Sequence, residues 1–250
     1  IGAATVIAFA KDGYDVGINY NKTPEGAQSV AEECRRYGVD AQIYQCDVGR
    51  RDQCERMLNA FINHFGRIDV LVNNAGGALK MPKGGFVDMP MDYWDEQIAL
   101  NLNSAAYCSQ LAARCMIEKG IHGSIINISS IHSLVTWVKR KALPYSAGKA
   151  GMNMFTKSIG VELIKYGINV NCIAPGLVYT KIMDRYSERD IRGFERKIPA
   201  GRGGTVDDIV PMIQFLADKK KSSFIVGQTI FIDGGQSIDG VIDCMLEDEI

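Results

Sequence analysis

Residues 68–77 read IDVLVNNAGG, a short apolar run that ends in two asparagines, an alanine and two glycines. Runs of this kind, rich in β-branched residues, recur along the chain, and a longer helical pattern follows each of them. Strands that are apolar throughout and separated by helices are typical of a parallel sheet buried on both faces. The sequence therefore predicts an α/β fold with a doubly wound parallel sheet.

The pattern predicts six strands and six helices in alternation. We place the strands at Val16–Tyr20, Ala41–Gln45, 68–73, 124–129, 168–174 and Thr229–Ile232, and the helices at 2–12, 24–37, Arg51–Phe65, 93–119, 143–166 and Val206–Ala217. No internal repeat interrupts this order, so we expect one domain over residues 1–250. The polar segment 177–205 is long for a connection, which favours a substrate lid. Residues 236–250 form a C-terminal tail whose role the sequence does not indicate.

Composition argues against several classes of partner. With 28 basic and 29 acidic residues, the net charge of −1 gives no electrostatic footprint for nucleic acid or an anionic membrane. The seven cysteines lack metal-ligand spacing, so we expect neither a metal site nor disulfides. No run approaches the roughly 18 residues of a membrane span. We therefore expect a cytoplasmic protein with a small-molecule or protein partner.

Small, polar or glycine-bearing residues follow four of the apolar runs. The sequences are CDV (46–48), NNAGG (73–77), NISS (127–130) and APG (174–176). Turn residues end strands in any protein, but in a doubly wound sheet the ligand binds at the carboxyl ends of the strands. Four such sequences at one edge favour a site where a flat cofactor approaches the backbone.

The sequence YSAGK places Tyr145 and Lys149 four residues apart in a predicted helix, and therefore on one face. A nearby ammonium group favours the ionised phenol and lowers its pKa from about 10. The pair can thus act as a proton donor and acceptor. An ordinary surface pair at this spacing is the alternative.

Taken in order, NNAG, NISS, YSAGK, PG and VGQTIFIDGG resemble the short-chain dehydrogenase/reductase family, from Ile1 to about Gly235. The stretch SSIHSLVTW (129–137) resembles bacterial glucose 1-dehydrogenases, and the chain also resembles 3-oxoacyl-carrier-protein reductases. The resemblance implies a Rossmann-type fold whose first strand leads into a TGxxxGIG loop. Ile1 and Gly2 match only the end of that loop, so the first strand and the start of the loop are missing from this sequence. We expect the sequence to be a fragment of a complete enzyme, which an intact mass measurement can test.

The resemblance also implies catalytic roles. Tyr145 is the implied general acid and base, and Lys149 lowers its pKa and holds the nicotinamide ribose. Ser130 is implied to bind the substrate oxygen, and Asn101 to support a water-linked proton relay to Lys149. His132 is expected to border the pocket.

A dinucleotide site is implied by the same resemblance. The implied cofactor-binding residues are Ile1, Gly2, Tyr20, Asn21, Lys22, Asp47, Val48, Asn74, Ala75, Gly76, Tyr145, Lys149, Pro175, Gly176, Val178 and Thr180. NAD-preferring relatives carry an acid after the second strand to bind the ribose 2′-hydroxyl. Tyr20, Asn21 and Lys22 occupy that stretch here, which favours NADP(H) over NAD(H) and leaves dual use open.

The resulting functional prediction is an NAD(P)(H)-dependent oxidoreductase that interconverts a secondary alcohol and a ketone. A sugar or polyol and a 3-oxoacyl thioester are the two leading substrates, and no metal is required. A non-catalytic nucleotide-sensing or scaffold protein on the same fold is the alternative. The resemblance further suggests a homo-oligomer, a dimer or a tetramer, built on helices 93–119 and 143–166.

One stretch departs from the family pattern. Ser130 and Tyr145 are 15 residues apart, more than is usual in the family, so we expect the chain between them to bulge outward. Such a bulge places Lys139, Arg140 and Lys141 near the rim of the site. They form either a solvated basic turn or a contact for an anionic group of the substrate.

Overall fold

The computed structural model describes residues 1–79, 82, 85–136 and 143–238. Strands and helices alternate along these residues, as predicted, and every strand pairing is parallel. The strands are β1 (Val16–Tyr20), β2 (Ala41–Gln45), β3 (Val70–Asn73), β4 (Ser124–Ile128), β5 (Asn169–Pro175) and β6 (Thr229–Ile232).

Helices connect these strands. They are α1 (Gly2–Lys11), α2 (Pro24–Arg35), α3 (Arg51–Phe65), α4 (Met91–Ile98), α5 (Ser104–Glu118), α6 (Leu143–Leu163), α7 (Glu188–Glu195), α8 (Val206–Ala217) and α9 (Lys219–Ser222). A π-helical turn, Ala99–Asn103, joins α4 to α5. None of the helices in the described ranges is long and apolar enough to cross a membrane.

Helices cover both faces of the strands. On one face, α1, α2 and α8 bury Phe9, Ala31 and Ile213 in a cluster that includes Ile126 of β4. On the other face, residues of α3, α5 and α6 pack with Ile125, the neighbour of Ile126 in the same strand. Successive side chains of a strand point to opposite faces, so one apolar strand supplies both cores. The doubly wound arrangement predicted from the sequence is confirmed.

The strands form two sheets, β1–β2 and β3–β4–β5–β6. A cavity of about 680 Å³ lies between the facing edges of β1 and β3 and is lined by residues of both strands. β3 is only partly buried, whereas β4 and β5 are buried throughout. Within the described part of the chain no strand lies in this gap.

Several predicted boundaries move by one or two residues. The strand predicted at 68–73 begins at Val70, and those predicted at 124–129 and 168–174 end at Ile128 and Pro175. The ends of a strand depend on its hydrogen bonds to the neighbouring strands, and the apolar run in the sequence does not show where those bonds stop. The helix predicted at 93–119 begins at Met91 and contains the π turn.

The segment 177–205 is more ordered than a polar loop. It contains a 3₁₀ turn, Lys181–Arg185, and the helix α7. The helix begins at a capping box, in which the Ser187 side chain accepts a hydrogen bond from the Asp190 backbone and the Asp190 side chain accepts one from the Ser187 backbone. The bulge at Lys139, Arg140 and Lys141, and the tail beyond residue 238, lie outside the described residues.

Candidate active site

Helix α6 presents Tyr145 and Lys149 on one face. The Lys149 side chain is only 3% exposed, and its Nζ donates a hydrogen bond of 2.7 Å to the Ile128 carbonyl at the end of β4. The same Nζ lies 5.9 Å from the centroid of the Tyr145 ring. The structure therefore brings together the two residues that the YSAGK sequence suggested.

Ser130 follows β4 and faces the same point. Its side chain forms a hydrogen bond with Tyr145 and also accepts one of 3.2 Å from the His132 backbone N–H. The imidazole of His132 packs edge-on against the Tyr145 ring at a centroid distance of 6.0 Å. Its Nδ1 lies 3.2 Å from the Val135 carbonyl, which can only accept, so Nδ1 is the donor of that bond. His132 thus lies beside Tyr145, and its expected place at the border of the pocket stays a prediction.

Asn101 lies in the π turn and is fully buried. Its Oδ1 accepts a hydrogen bond from the Gly77 N–H at 2.9 Å, and its Nδ2 donates to the Gly77 carbonyl at 3.1 Å. The preceding residue, Gly76, approaches so closely that a Cβ there would lie 3.0 Å from Asn101 Oδ1 and 3.2 Å from Lys149 Nζ. The loop after β3 is thus fastened to Asn101 and runs directly over Lys149.

Burial governs the ionisation of the two central groups. It lowers the pKa of the Lys149 ammonium to about 8, because the charged form loses its hydration. It also raises the pKa of the Tyr145 phenol, and the hydrogen bond with Ser130 acts in the opposite direction. From the sequence, Lys149 is expected to lower the pKa of Tyr145. Burial is the larger influence here, since a phenolate away from water is disfavoured.

The amino end of α1 lies over the carboxyl end of β3. A Cβ on Gly2 would meet Asn74 Nδ2 at 2.6 Å, so only a glycine lets the helix come this close. The first N–H groups of a helix have no partner within the helix and attract anions. Among the predicted cofactor residues, those that line the 680 Å³ cavity are Gly2, Tyr20, Val48, Asn74 and Ala75. The close backbone contact at Gly2, beside helix N–H groups without partners, fits the phosphates of a dinucleotide, whereas the cavity itself is the gap between β1 and β3.

The other predicted cofactor residues do not line this cavity. Asn21 and Lys22 are exposed just beyond β1, and Asp47 is partly buried beyond β2, where its Oδ1 accepts a hydrogen bond from the Gly49 N–H. Ile1 is half-buried at the start of α1. Pro175 ends β5, and Gly176, Val178 and Thr180 follow it, at the same edge of the sheet as Ser130.

Sequence reasoning missed two buried residues of the site. Gln97 is fully buried one turn before Asn101, and both its backbone carbonyl and its side-chain oxygen accept from Asn101 Nδ2, at 3.0 and 3.4 Å. Ser129 Oγ donates a bond of 3.1 Å to the Lys149 carbonyl and so ties α6 to β4. The i, i+4 spacing of Gln97 and Asn101 was a signal that could have identified the first residue.

The chain is similar to known proteins in sequence and in structure. A family model described as enoyl-(acyl carrier protein) reductase matches residues 1–237. The 3-oxoacyl-[acyl-carrier-protein] reductase of Staphylococcus aureus is 35% identical, over 94% of this chain and 93% of that protein. An oxidoreductase of Escherichia coli, YohF, is 36% identical, over 94% of this chain and 90% of that protein.

Among solved structures, a short-chain dehydrogenase/reductase of Serratia marcescens superposes with a TM-score of 0.86 at 29% identity, covering 94% of this chain and 93% of the other. The chain belongs to the short-chain dehydrogenase/reductase family. Acetoin dehydrogenase of Salmonella typhimurium superposes with a TM-score of 0.82 at 33% identity, covering 96% and 93% of the two chains. As a member of this family, the chain is an oxidoreductase of CH–OH and C=O groups with an NAD(P) cofactor.

Proposed function

We propose that this short-chain dehydrogenase/reductase interconverts a secondary alcohol and a ketone, with Tyr145 as general acid and base. The observation that carries the proposal is the convergence of Ser130 and Lys149 on Tyr145. A hydroxyl donor lies on one side of the phenol, and a buried ammonium lies 5.9 Å from its ring. Such a set can hold a carbonyl oxygen and exchange a proton with it.

In the reduction, Tyr145 Oη transfers its proton to the carbonyl oxygen of the substrate. Ser130 Oγ donates a hydrogen bond to the same oxygen while negative charge develops there. The Lys149 ammonium, held in place by the Ile128 carbonyl, stabilises the phenolate that remains. The bound dinucleotide supplies the hydride. In the oxidation the phenolate takes the proton back from the alcohol.

Asn101 supports the proposed dinucleotide site by holding the backbone of the loop after β3. By bonding both the N–H and the carbonyl of Gly77, it fixes the loop that carries Asn74, Ala75 and Gly76 toward the cavity. In our proposal these residues, together with the amino end of α1, hold the dinucleotide. Asn101 lies between this loop and Lys149, which is the place of the water-linked relay that the family resemblance implies.

NADP(H) is the proposed preferred cofactor. The stretch after β1 offers Tyr20, Asn21 and Lys22, and so contains no carboxylate that would repel a 2′-phosphate. Lys22 is exposed and available to attract that phosphate. Lysine acts at phosphate sites as a point charge, without the bidentate grip of arginine. We therefore expect a preference for NADP(H) and not an exclusion of NAD(H).

The substrate is proposed as a class. Relatives of this chain are named for acetoin and for 3-oxoacyl thioesters, and both kinds of molecule carry a ketone beside a second oxygen function. We propose that this chain takes such a ketone. A sugar or polyol, the other substrate predicted from the sequence, belongs in the same assay panel.

The experiment is a turnover screen of the protein, carrying its natural amino terminus, with NADPH and NADH. The ketones are diacetyl, acetoacetyl thioester and a keto sugar, each compared with Tyr145→Phe. We expect oxidation of NADPH with one of them and loss of turnover in the variant, whose fold circular dichroism verifies. Unchanged turnover in Tyr145→Phe would contradict the mechanism. Dinucleotide binding without turnover on any ketone would favour the nucleotide-sensing alternative.

We also propose a homo-oligomer built on α6. Met154 is 62% and Val161 75% exposed on this helix, seven residues apart and so on one face. An exposed apolar stripe of this kind marks a surface that another chain covers. Light scattering after gel filtration should give a dimer or a tetramer, and a monomeric mass would contradict the proposal.

A further inference from the structure

A second polar contact joins α6 to the turn that follows β4. Asn153 lies eight residues after Tyr145 and four after Lys149, and so on the same face of the helix. Its Nδ2 donates a hydrogen bond of 2.8 Å to Ser133 Oγ. Ser133 is the last residue of the 3₁₀ turn Ile131–Ser133, which begins directly after Ser130.

Ser133 in turn forms hydrogen bonds with the backbone of Ser130. Its Oγ donates a hydrogen bond of 2.7 Å to the Ser130 carbonyl, and its backbone N–H donates to the same oxygen at 3.0 Å. The Ser130 side chain in turn accepts from the His132 N–H in the same turn. The backbone of Ser130 is therefore tied to Asn153 through a single hydroxyl group.

The other end of the Asn153 side chain is also fixed. Its Oδ1 accepts a hydrogen bond from Cys172 Sγ at 3.6 Å, and Cys172 is fully buried in the middle of β5. Burial raises the pKa of Cys172 to about 11, so at neutral pH its sulfur keeps the proton that it donates. With one bond at each end, the amide of Asn153 has one orientation.

We propose that Asn153 is a positioning residue that sets the separation between Ser130 and Tyr145. Tyr145 and Asn153 belong to one continuous helix, so their relative position is fixed. Ser130 lies on another element, and Ser133 links it to Asn153. The inference rests on the proposed function, because it assigns Asn153 a part in the Ser130–Tyr145 pair.

A measurable consequence follows for the ionisation of Tyr145. Its hydrogen bond with Ser130 lowers the pKa of the phenol, against the effect of burial. Among the described residues, the other titratable groups that face this ring are Lys149 on the same helix and His132 on the turn after β4. If Ser130 moves away while those two stay, the pKa of Tyr145 rises.

The test uses Asn153→Leu and Ser133→Ala, each of which removes the link without a large change of volume. We expect kcat for alcohol oxidation to fall at least tenfold at pH 7, with the KM for the dinucleotide within twofold of wild type. The alkaline shift of the pH profile should be the same in both variants, and the double variant should lose no more than either alone. Ser133→Thr keeps the hydroxyl and should restore activity.

Ser158→Ala is the matched control, because Ser158 is an exposed hydroxyl on the same helix that bonds only its own turn. A second measurement does not require turnover. It is a pH titration of ¹³Cζ-labelled tyrosine followed by NMR, in which the Tyr145 signal is assigned by its absence in Tyr145→Phe. Its midpoint should move to higher pH in Asn153→Leu and Ser133→Ala and stay in place in Ser158→Ala.

The two proposals fail in different ways. Turnover in Tyr145→Phe would overturn the proposed function and leave the NMR titration as the test of the position of Ser130. If Tyr145→Phe is inactive but the NMR midpoint and pH profile of Asn153→Leu match wild type, the positioning role is wrong and the function stands. A fall in kcat with an unshifted midpoint would likewise overturn the positioning role.

Discussion

Lys149 shows what a buried charge costs at the scale of one residue. Its pKa falls from 10.5 to about 8, which corresponds to roughly 3 kcal/mol of lost stability at pH 7. The hydrogen bond to the Ile128 carbonyl offsets about 1 kcal/mol of this loss of stability. The protein thus keeps a residue that weakens its fold, which is the cost expected if Lys149 has the proposed catalytic role.

Lys149→Met should therefore inactivate the protein and stabilise it. We expect Tm at pH 7 to rise by about 4–8 °C, the effect of roughly 2 kcal/mol in a chain of this length. The folded state binds fewer protons than the unfolded state between about pH 8 and 10.5, so wild-type stability recovers over that range. The Tm difference, measured by calorimetry, should shrink as pH rises. A lower Tm in the variant at pH 7 would contradict the cost assigned to burial.

The same ammonium predicts a pH dependence of ketone reduction. Below about pH 8 Lys149 carries the charge that, in the proposed mechanism, stabilises the developing phenolate, and above it the charge is lost. We expect kcat/KM for NADPH, which reports on the enzyme before the dinucleotide binds, to fall as pH rises through about 8. A profile that stays flat from pH 7 to 10 would contradict this assignment.

Lys22 provides a test of cofactor choice. Lys22→Glu places a carboxylate where a 2′-phosphate would lie, so KM for NADPH should rise about tenfold through repulsion, while KM for NADH changes less than twofold. Lys119→Glu, an equal change of charge at the exposed end of α5, is the control. Equal effects of Lys22→Glu on both dinucleotides would remove the basis for the NADP(H) preference.

At the scale of elements, one tyrosine joins three parts of the chain around the segment 177–205. The Tyr179 hydroxyl bonds the Glu195 carboxylate at the end of α7 and accepts a hydrogen bond of 3.0 Å from the Gly203 N–H. The side chain thereby joins the residues after β5, the helix α7 and the chain that leads into α8. These bonds fasten the segment, which the sequence predicts to be a substrate lid, at a defined place.

Tyr179→Phe should loosen that fastening. We expect KM for the ketone to rise about threefold to tenfold, while trypsin cleaves faster after Arg192 and Arg196, because α7 opens more often. Tyr37→Phe, at a side chain that is 45% exposed, should change neither value. Unchanged proteolysis in Tyr179→Phe would show that other contacts hold the segment.

The elements also show what the sequence could predict. Each predicted strand is present, because a buried parallel strand needs an uninterrupted apolar run. The π turn was not predicted, since it extends a helical pattern without changing its composition. In the site, the spacing of Tyr145 and Lys149 was readable along one helix. Contacts between elements, such as Asn101 with Gly77, depend on packing that no local pattern encodes.

At the scale of the molecule, the division into two sheets leaves two strand edges facing each other. Along a strand, successive residues direct their backbone N–H groups to opposite sides. Val16 N–H bonds the Asp40 carbonyl before β2, so the amides of Gly17 and Asn19 face the gap. By the same alternation, Ser124 bonds the Asp69 carbonyl before β3, and the amides of Val70 and Val72 face the gap.

Amide hydrogen exchange should separate these two sets of groups. In the 250-residue chain, we expect the amides of Gly17, Asn19, Val70 and Val72 to exchange at least tenfold faster than that of Val16, because no strand in the described ranges pairs with them. NMR on ¹⁵N-labelled protein gives the individual rates. Equal protection of all five amides would mean that β1 and β3 pair directly in solution.

The cysteines give this division a practical use. The six described cysteines are all buried, so a thiol reagent can reach them only when the surrounding structure opens. Cys34 lies in α2, which packs on the β1–β2 pair, and Cys172 lies in β5 of the larger sheet. The rates at which a thiol reagent modifies Cys34 and Cys172 therefore report separately on the opening of the two sheets. The cysteine that reacts first shows which sheet opens more readily.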